Sequence, residues 1–306
     1  MQIQIRNYQI NDLDRYNQIY QDNEDVKREA RWLSPQTIRE FLFSPRCTPD
    51  KDLLIAKAGE EIIGLCYLIP EPEIDRAILR GIILHRYRRK GIGSELLKLA
   101  MKRAVKLGVS MVHSDVDEKN QGARELMKVN HFRKVRTFHE MRLLLEEKGF
   151  GQLPPGDIRI EPLEKGQEGL LTEVQNLCFS GSWGYQPNEE SEVIYYLGLG
   201  KCSYDDVHMA FFRDRPVGFC WLTIGPESSA DQGLNKGRVH MMGVIPAYRR
   251  TGLGRSLLVS GLSHLKKKWI NMAELTVDSN NEAAFGLYRS AGFSVYSNTH
   301  WYEKVL

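Results

Sequence analysis

Leu257, Leu258, Gly261, Leu262 and Leu265 recur at spacings of three and four behind "RRTGLG", and Leu96, Leu97, Ala100, Met101 and Ala104 repeat the stripe behind "RRKGIG". Such spacing predicts a helix in each place, with one apolar face turned to a core. Ahead of the second stripe, "VHMAFF", "VGFCWLTI" and "RVHMMGVI" read as strands from their β-branched and aromatic content. Each half of the chain then follows one pattern: strand, helical region, apolar strands, glycine loop, helix, strand, short helix and final strands.

The two halves are an internal repeat. An offset of 161 carries Arg88 to Arg249, Gly91 to Gly252, Gly93 to Gly254, Asn120 to Asn281, Ala123 to Ala284 and Phe132 to Phe293. Upstream, Gly64 to Gly218 and Cys66 to Cys220 have an offset of 154, so the second copy carries seven more residues, around "GPESSADQGLNKG". Gly and Pro concentrate in "EEKGFGQLPPGD", which marks a boundary near residues 149–155 and domains at 1–148 and 157–306.

Composition changes this picture little. The 306 residues are 42% hydrophobic and 26% charged, which describes a soluble globular protein, and a net charge of +3 makes no case for nucleic acid. The Lys266–Lys268 run reads as a solvated helix end. No run of about 18 apolar residues is present, so no membrane partner is expected. Five cysteines without CxxC pairing fit a reducing cytoplasm and no metal site.

Candidate chemistry lies in the repeated loops. A strand that feeds a glycine-rich turn opening a helix turns several backbone N–H groups and the positive end of the helix dipole toward one point, where phosphate binds. Arg249 and Arg250 can add charge. A dinucleotide loop is excluded because Leu257 stands where its third glycine belongs, and a Walker loop because Arg255-Ser256 follows Gly254.

"GVIPAYRRTGLGRSLL" followed by "LTVDSNNEAAFGLYRSAGF" resembles the GCN5-related N-acetyltransferase superfamily across both its acetyl-CoA loop and its later Asn-x-x-Ala-x-x-Leu-Tyr helix. The resemblance implies an α/β fold of two tandem domains, each a mixed, mostly antiparallel twisted sheet flanked by helices. Its implied cofactor is acetyl-CoA, a co-substrate held by Met242, Gly243 and Val244 along the strand and by Arg249, Arg250, Thr251, Gly252, Leu253, Gly254, Arg255 and Ser256 in the loop. Asn281 and Tyr288 complete that set. The first copy offers Ile83, Arg88, Arg89, Lys90, Gly91, Ile92, Gly93 and Ser94.

The implied activity is acetyl transfer to the primary amine of a small molecule or peptide, attacked directly in a ternary complex. It needs a neutral amine, a stabilised oxyanion and a proton for the departing thiolate. The resemblance gives the oxyanion contact to the Val244 N–H and the proton to Tyr288. His240, four residues before Val244, is expected on the same strand face as Met242 and Val244, where it can take the amine's proton through water or serve as a structural hydrogen-bonding side chain. Glu227 is a weaker candidate base. Under the repeat offset Tyr288 becomes Met127 and His240 becomes Leu79, neither of which moves a proton, so the first copy reads as catalytically degenerate. Arg238 stands near the start of the strand, where tandem members of the superfamily lead one to expect an acid.

Trp183, Tyr185 and Gln186 are candidate walls of an acceptor pocket, and Trp183 is equally a packing anchor. A non-catalytic acyl-CoA sensor is the alternative reading; it has no need of Tyr288. Nucleic-acid binding is disfavoured, since a pyrophosphate already accounts for the arginines. A monomer or homodimer is expected.

Overall fold

The computed structural model describes residues 3–22, 35–145, 156–200, 202–224 and 235–306. The linker expected at 149–155 and Glu227 lie outside the described residues. In the first repeat the elements are β1 (Ile3–Asn7), α1 (Leu13–Asp22), α2 (Pro35–Leu42), α3 (Pro49–Asp52), β2 (Leu53–Ala58), β3 (Glu61–Glu71), β4 (Arg76–Ile83), α4 (Ile92–Leu107), β5 (Met111–Asp117), α5 (Gln121–Val129) and β6 (Arg133–Leu144). The second repeat follows with β7 (Ile158–Pro162), α6 (Glu168–Phe179), α7 (Glu190–Leu197), β8 (Val207–Phe212), β9 (Arg215–Thr223), β10 (Lys236–Val244), α8 (Leu253–Lys267), β11 (Met272–Asp278), α9 (Glu282–Ser290) and β12 (Ser294–Val305). Where final strands were expected, each repeat closes on one strand of 12 residues.

Two compact units form, but they do not coincide with the repeats: one holds Met1–Phe138 with Asn298–Leu306, the other His139–Ser297. The far half of each last strand therefore belongs to the unit built by the other repeat. In the first unit the order is β1-β2-β3-β4-β5 followed by β12, which runs antiparallel to β5 from Thr299↔Asp117 to Val305↔Met111. In the second unit the order is β7-β8-β9-β10-β11 followed by the far half of β6. The pairings β4–β5 and β10–β11 are parallel within sheets otherwise dominated by antiparallel pairs.

Charge explains why the strands sort this way. Arg142 on β6 pairs with Glu274 on β11 at 2.7 Å, and Glu303 on β12 meets His113 on β5 at 2.9 Å. These are equivalent positions, each 161 apart, with the polarity reversed. Had each strand stayed with its own repeat, Glu303 would face Glu274, and Arg142 would face His113, which already contacts Arg76. Like charges opposite one another disfavour a pairing, so the observed sorting is the one without repulsion.

Each sheet buries both faces, as its long apolar strands require. In the second unit Leu257, Leu258, Leu262 and Leu265 of α8 are fully buried against Cys220, Leu222 and Val239, the stripe predicted from the spacing. The opposite face packs Phe219, Trp221 and Met209 against Leu171, Val174 and Cys178 of α6 and Val193 and Leu197 of α7. In the first unit, Leu96, Leu97 and Ala100 of α4 cover one face, and Tyr16, Ile19, Ile38 and Leu42 of α1 and α2 cover the other. No helix among the described residues is long and apolar enough to cross a membrane.

Candidate active site

β10 pairs with β11 only through Lys236↔Met272, Gly237↔Ala273 and Arg238↔Glu274, then continues to Val244 with β9 as its partner. The two strands part at Arg238. The Ile245 N–H donates to Val217 O at 3.0 Å. Antiparallel alternation then points the N–H groups of Gly243 and Met241 toward β9 and those of Met242 and Val244 away from it, into the space where β11 has turned aside. In the first unit β4 leaves β5 at the equivalent place, after Ile78↔His113.

Gly243 has no room for a side chain, because a Cβ there would lie 2.6 Å from Cys178 Cβ. The end of α6 thus rests on the backbone of the parted strand.

Beyond Val244 a short turn leads to Arg250 at φ 63° and Gly252 at φ 92°, and α8 begins. A left-handed residue followed by a right-handed helical one aims successive N–H groups at a common point, an anion-binding concavity at a helix N-terminus. The first unit repeats these angles at Arg89 (61°) and Gly91 (80°). Leu253 and Ser256 are buried, so their side chains do not face the concavity, and the Ser256 N–H donates to Gly252 O at 3.1 Å within the first turn of α8.

Arg249 is exposed and also anchors the loop. Its Nε donates to Val244 O at 3.0 Å and its Nη2 to Cys178 O at 2.9 Å, so the side chain ties the loop to the strand and to α6. Arg88 likewise donates to Ile83 O at 3.0 Å. Arg250 and Arg255 are exposed beside Arg249. The Asn281 carboxamide oxygen accepts the Ala284 N–H at 3.1 Å and caps α9, as Asn120 does for Ala123 on α5. Thr251 donates to Tyr248 O at 2.8 Å within the turn.

Tyr288 is buried against Phe293, ring centroids 5.9 Å apart. Burial, and then the neighbouring Cys220 thiol, hold its hydroxyl well above the ordinary tyrosine range. Cys220 is the β9 partner of Met242, and Tyr288 belongs to the same core cluster, against which Met242 and Val244 pack. Burial pushes the thiols of Cys220 and Cys178 up to about 12, and neither supplies a thiolate near neutral pH.

His240 departs from its expected face. The β9–β10 register shifts between Val239 and Met241, which makes His240 the extra residue of a bulge. Its ring meets Trp221 edge-on at 5.5 Å, on the side of Met241, whereas Met242 and Val244 pack toward α8. Strand alternation read from sequence misses this because one inserted residue inverts the parity.

The Trp183 to Gln186 segment stands close by, though much of it is committed to its own structure. Tyr185 stacks on Phe179 at 5.2 Å and donates to Asn176 Oδ1 at 2.8 Å. Gln186 is buried, and Trp183 is half-buried.

The two units differ around otherwise matching loops. The β3–β4 register runs from Gly64↔Ile83 to Glu71↔Arg76 without a shift, so the first unit has no counterpart of the His240 bulge. A Cβ on Gly93 would lie 3.1 Å from Ile83 and 3.2 Å from Leu126, while one on Gly254 would find its nearest atom at 3.5 Å. Glu125 pairs with Arg89 at 3.0 Å, and the equivalent of Glu125 in the second unit is Gly286, with open space around it. Sequence reading overlooked that substitution, visible as an acid replacing glycine at the 161 offset.

Comparison with known proteins agrees with this geometry. The model of the "Acetyltransferase (GNAT) family" matches residues 13–132 and again 170–293. Mycothiol acetyltransferase of Segniliparus rotundus is 26% identical over 255 residues, which cover 79% of this chain and 89% of that protein. The Thermobispora bispora protein of the same name is 28% identical over 266 residues, covering 83% and 82%. A solved GCN5-related N-acetyltransferase from Sphaerobacter thermophilus superposes with a TM-score of 0.74 at 18% identity, over 99% of this chain and 95% of that one. A tandem GNAT protein from the clavulanic acid biosynthesis pathway gives 0.73 at 14% identity, over 99% and 98%. The chain is an N-acetyltransferase that belongs to the GNAT family, with two copies of the family fold in tandem.

Proposed function

We propose that the second unit transfers the acetyl group of acetyl-CoA to the primary amine of a small molecule, and that the first unit is a non-catalytic copy. The observation that carries this reading is the parted strand of the second unit, with the Met242 and Val244 N–H groups turned into the gap and Tyr288 buried in the core against which those two residues pack. Loop and strand suit acetyl-CoA: N–H groups and cations for the pyrophosphate, and a backbone edge for the pantetheine arm. The mycothiol acetyltransferase relatives favour a small-molecule acceptor.

In this reading the acceptor amine must first lose a proton, since an alkylammonium has a pKa of about 10.4. His240, exposed on the bulge, takes that proton through water. The Val244 N–H stabilises the oxygen of the attacked carbonyl, and Tyr288 donates its hydroxyl proton to the sulfur as the carbon–sulfur bond breaks. Neither buried thiol has the ionisation needed for a covalent acyl-enzyme, which favours direct transfer. Met127, the unbroken β4 register that leaves His240 without a counterpart, and the Glu125 carboxylate beside Arg89 support a first unit without chemistry.

The test is acetyl-CoA-dependent thiol release across simple amines, polyamines, aminoglycosides and peptide N-termini. Turnover with small amines is expected, and thiol release with none of them would overturn the proposal.

A further inference from the structure

Arg238 is the last residue of β10 to pair with β11, at the closed end of the gap. Its neighbours Gly237 and Val239 pack on the α8 side, so its own side chain lies on the opposite face, the one that carries His240 and Trp221. There its Nη2 donates to Thr276 Oγ1 and lies 3.5 Å from Glu140 Oε2, and Thr276 donates to that same oxygen at 2.8 Å. Glu140 reaches this place because the far half of β6 belongs to the second unit.

The guanidinium is fixed from one nitrogen only. Its Nε and Nη1 have no partner among the described residues, and the side chain is 36% exposed while the Glu140 side chain is 9% exposed. Trp221 Nε1 lies on the same face, buried without a hydrogen-bond partner among the described residues. Both groups can only donate. A half-exposed guanidinium with two nitrogens unpartnered among the described residues is complementary to an anionic oxygen.

We propose that Arg238 reads an oxyanion on the acceptor, so that the amine acetylated by this enzyme comes from a molecule that also carries a carboxylate or a phosphate. Glu140 and Thr276 are positioning residues that hold the guanidinium toward the gap. The proposal rests on the acetyl-transfer reading of the second unit, and its test separates the two.

Matched pairs are titrated into the full-length protein with coenzyme A present, by calorimetry: α-amino acids against the amines that lack the carboxylate, and amino sugar phosphates against the free amino sugars. Where acceptors turn over, kcat and KM are measured in parallel. The anionic member of at least one series should bind at least tenfold more tightly, and the series that shows this identifies carboxylate or phosphate as the source. Arg238→Gln should raise the anionic member's KM at least tenfold with kcat held and leave its neutral partner unchanged, while Arg238→Lys restores part of the preference. Equal binding within every pair, no binding by any anionic member, or equal losses for both members in Arg238→Gln would overturn the proposal. A preference in binding without thiol release from any acceptor would instead overturn the acetyl-transfer reading.

Discussion

Tyr288→Phe tests the chemistry assigned to the second unit most directly. The substitution keeps the ring that packs on Phe293 in the α8–α9 core and removes only the hydroxyl, so unfolding free energy should change by about 1 kcal/mol. A positioned general acid contributes roughly 10²- to 10⁴-fold, or about 3–5 kcal/mol of barrier at about 1.4 kcal/mol per tenfold. Thiol release should therefore fall by at least a hundredfold in kcat, with calorimetric acetyl-CoA affinity unchanged, since the loop and the parted strand are untouched. Burial also fixes the pH behaviour. Because the folded hydroxyl titrates above its ordinary value, the proton donor stays protonated through pH 10, and its ionisation should draw no alkaline fall in wild-type kcat below that pH. A Tyr288→Phe enzyme with kcat within twofold of wild type would refute the reasoning, whatever its stability.

Three further outcomes are expected. Gly254→Trp sets an indole beside Leu287 of α9 and Val244 of β10 and should lower kcat/KM at least a hundredfold; Gly93→Trp, although it crowds Ile83 and Leu126 at a cost of about 1–3 kcal/mol, should leave kcat/KM within threefold. The reverse pattern would move the chemistry to the first unit. Arg142→Glu should destabilise the protein by about 2 kcal/mol in denaturant unfolding, and adding Glu274→Arg should recover more than half; a double-mutant cycle with no coupling would deny this pair its part in sorting the strands. His208, buried on β8 beside His264, has its pKa lowered to about 4, first by burial and then by His264. Its unfolded form binds a proton that its folded form does not between pH 4 and 6.5, so stability should rise by about 3 kcal/mol across that window and level off above it. His208→Gln should flatten that slope, and a variant with the wild-type slope would show that other groups set it.

How much of this was legible in the sequence depended on whether a feature was local. The loop glycines, the leucine stripe of α8 and the loss of Tyr288 and His240 equivalents in the first copy all followed from spacing, because backbone conformation and helix faces are set within a few residues. Two features did not follow from spacing. Arg249 ties the loop to the carbonyls of Val244 and Cys178, the latter 71 positions away, a role that spacing in the loop does not show. The place of His240 turned on a single inserted residue in a strand whose composition gives no sign of it.

The exchange of the last strands is a different case, because its signal was present but needed a second strand to interpret. By the repeat offset alone, β6 and β12 are interchangeable: equal in length, equivalent in position and each preceded by a helix ending in a Gly-Phe or His-Phe turn. What breaks the symmetry is the charge they carry, Arg142 on one and Glu303 on the other, set against Glu274 and His113 on the strands that receive them. The second repeat read alone would set Glu303 against Glu274, and the first would set Arg142 against His113. Read together, the four residues allow one assignment without like charges opposed, and that assignment carries Glu140 to the side of Arg238. The polar pair at the closed end of the gap is thus a consequence of the same sorting, and a variant that returned β6 to its own repeat would separate Glu140 from Arg238 even though neither residue had been changed.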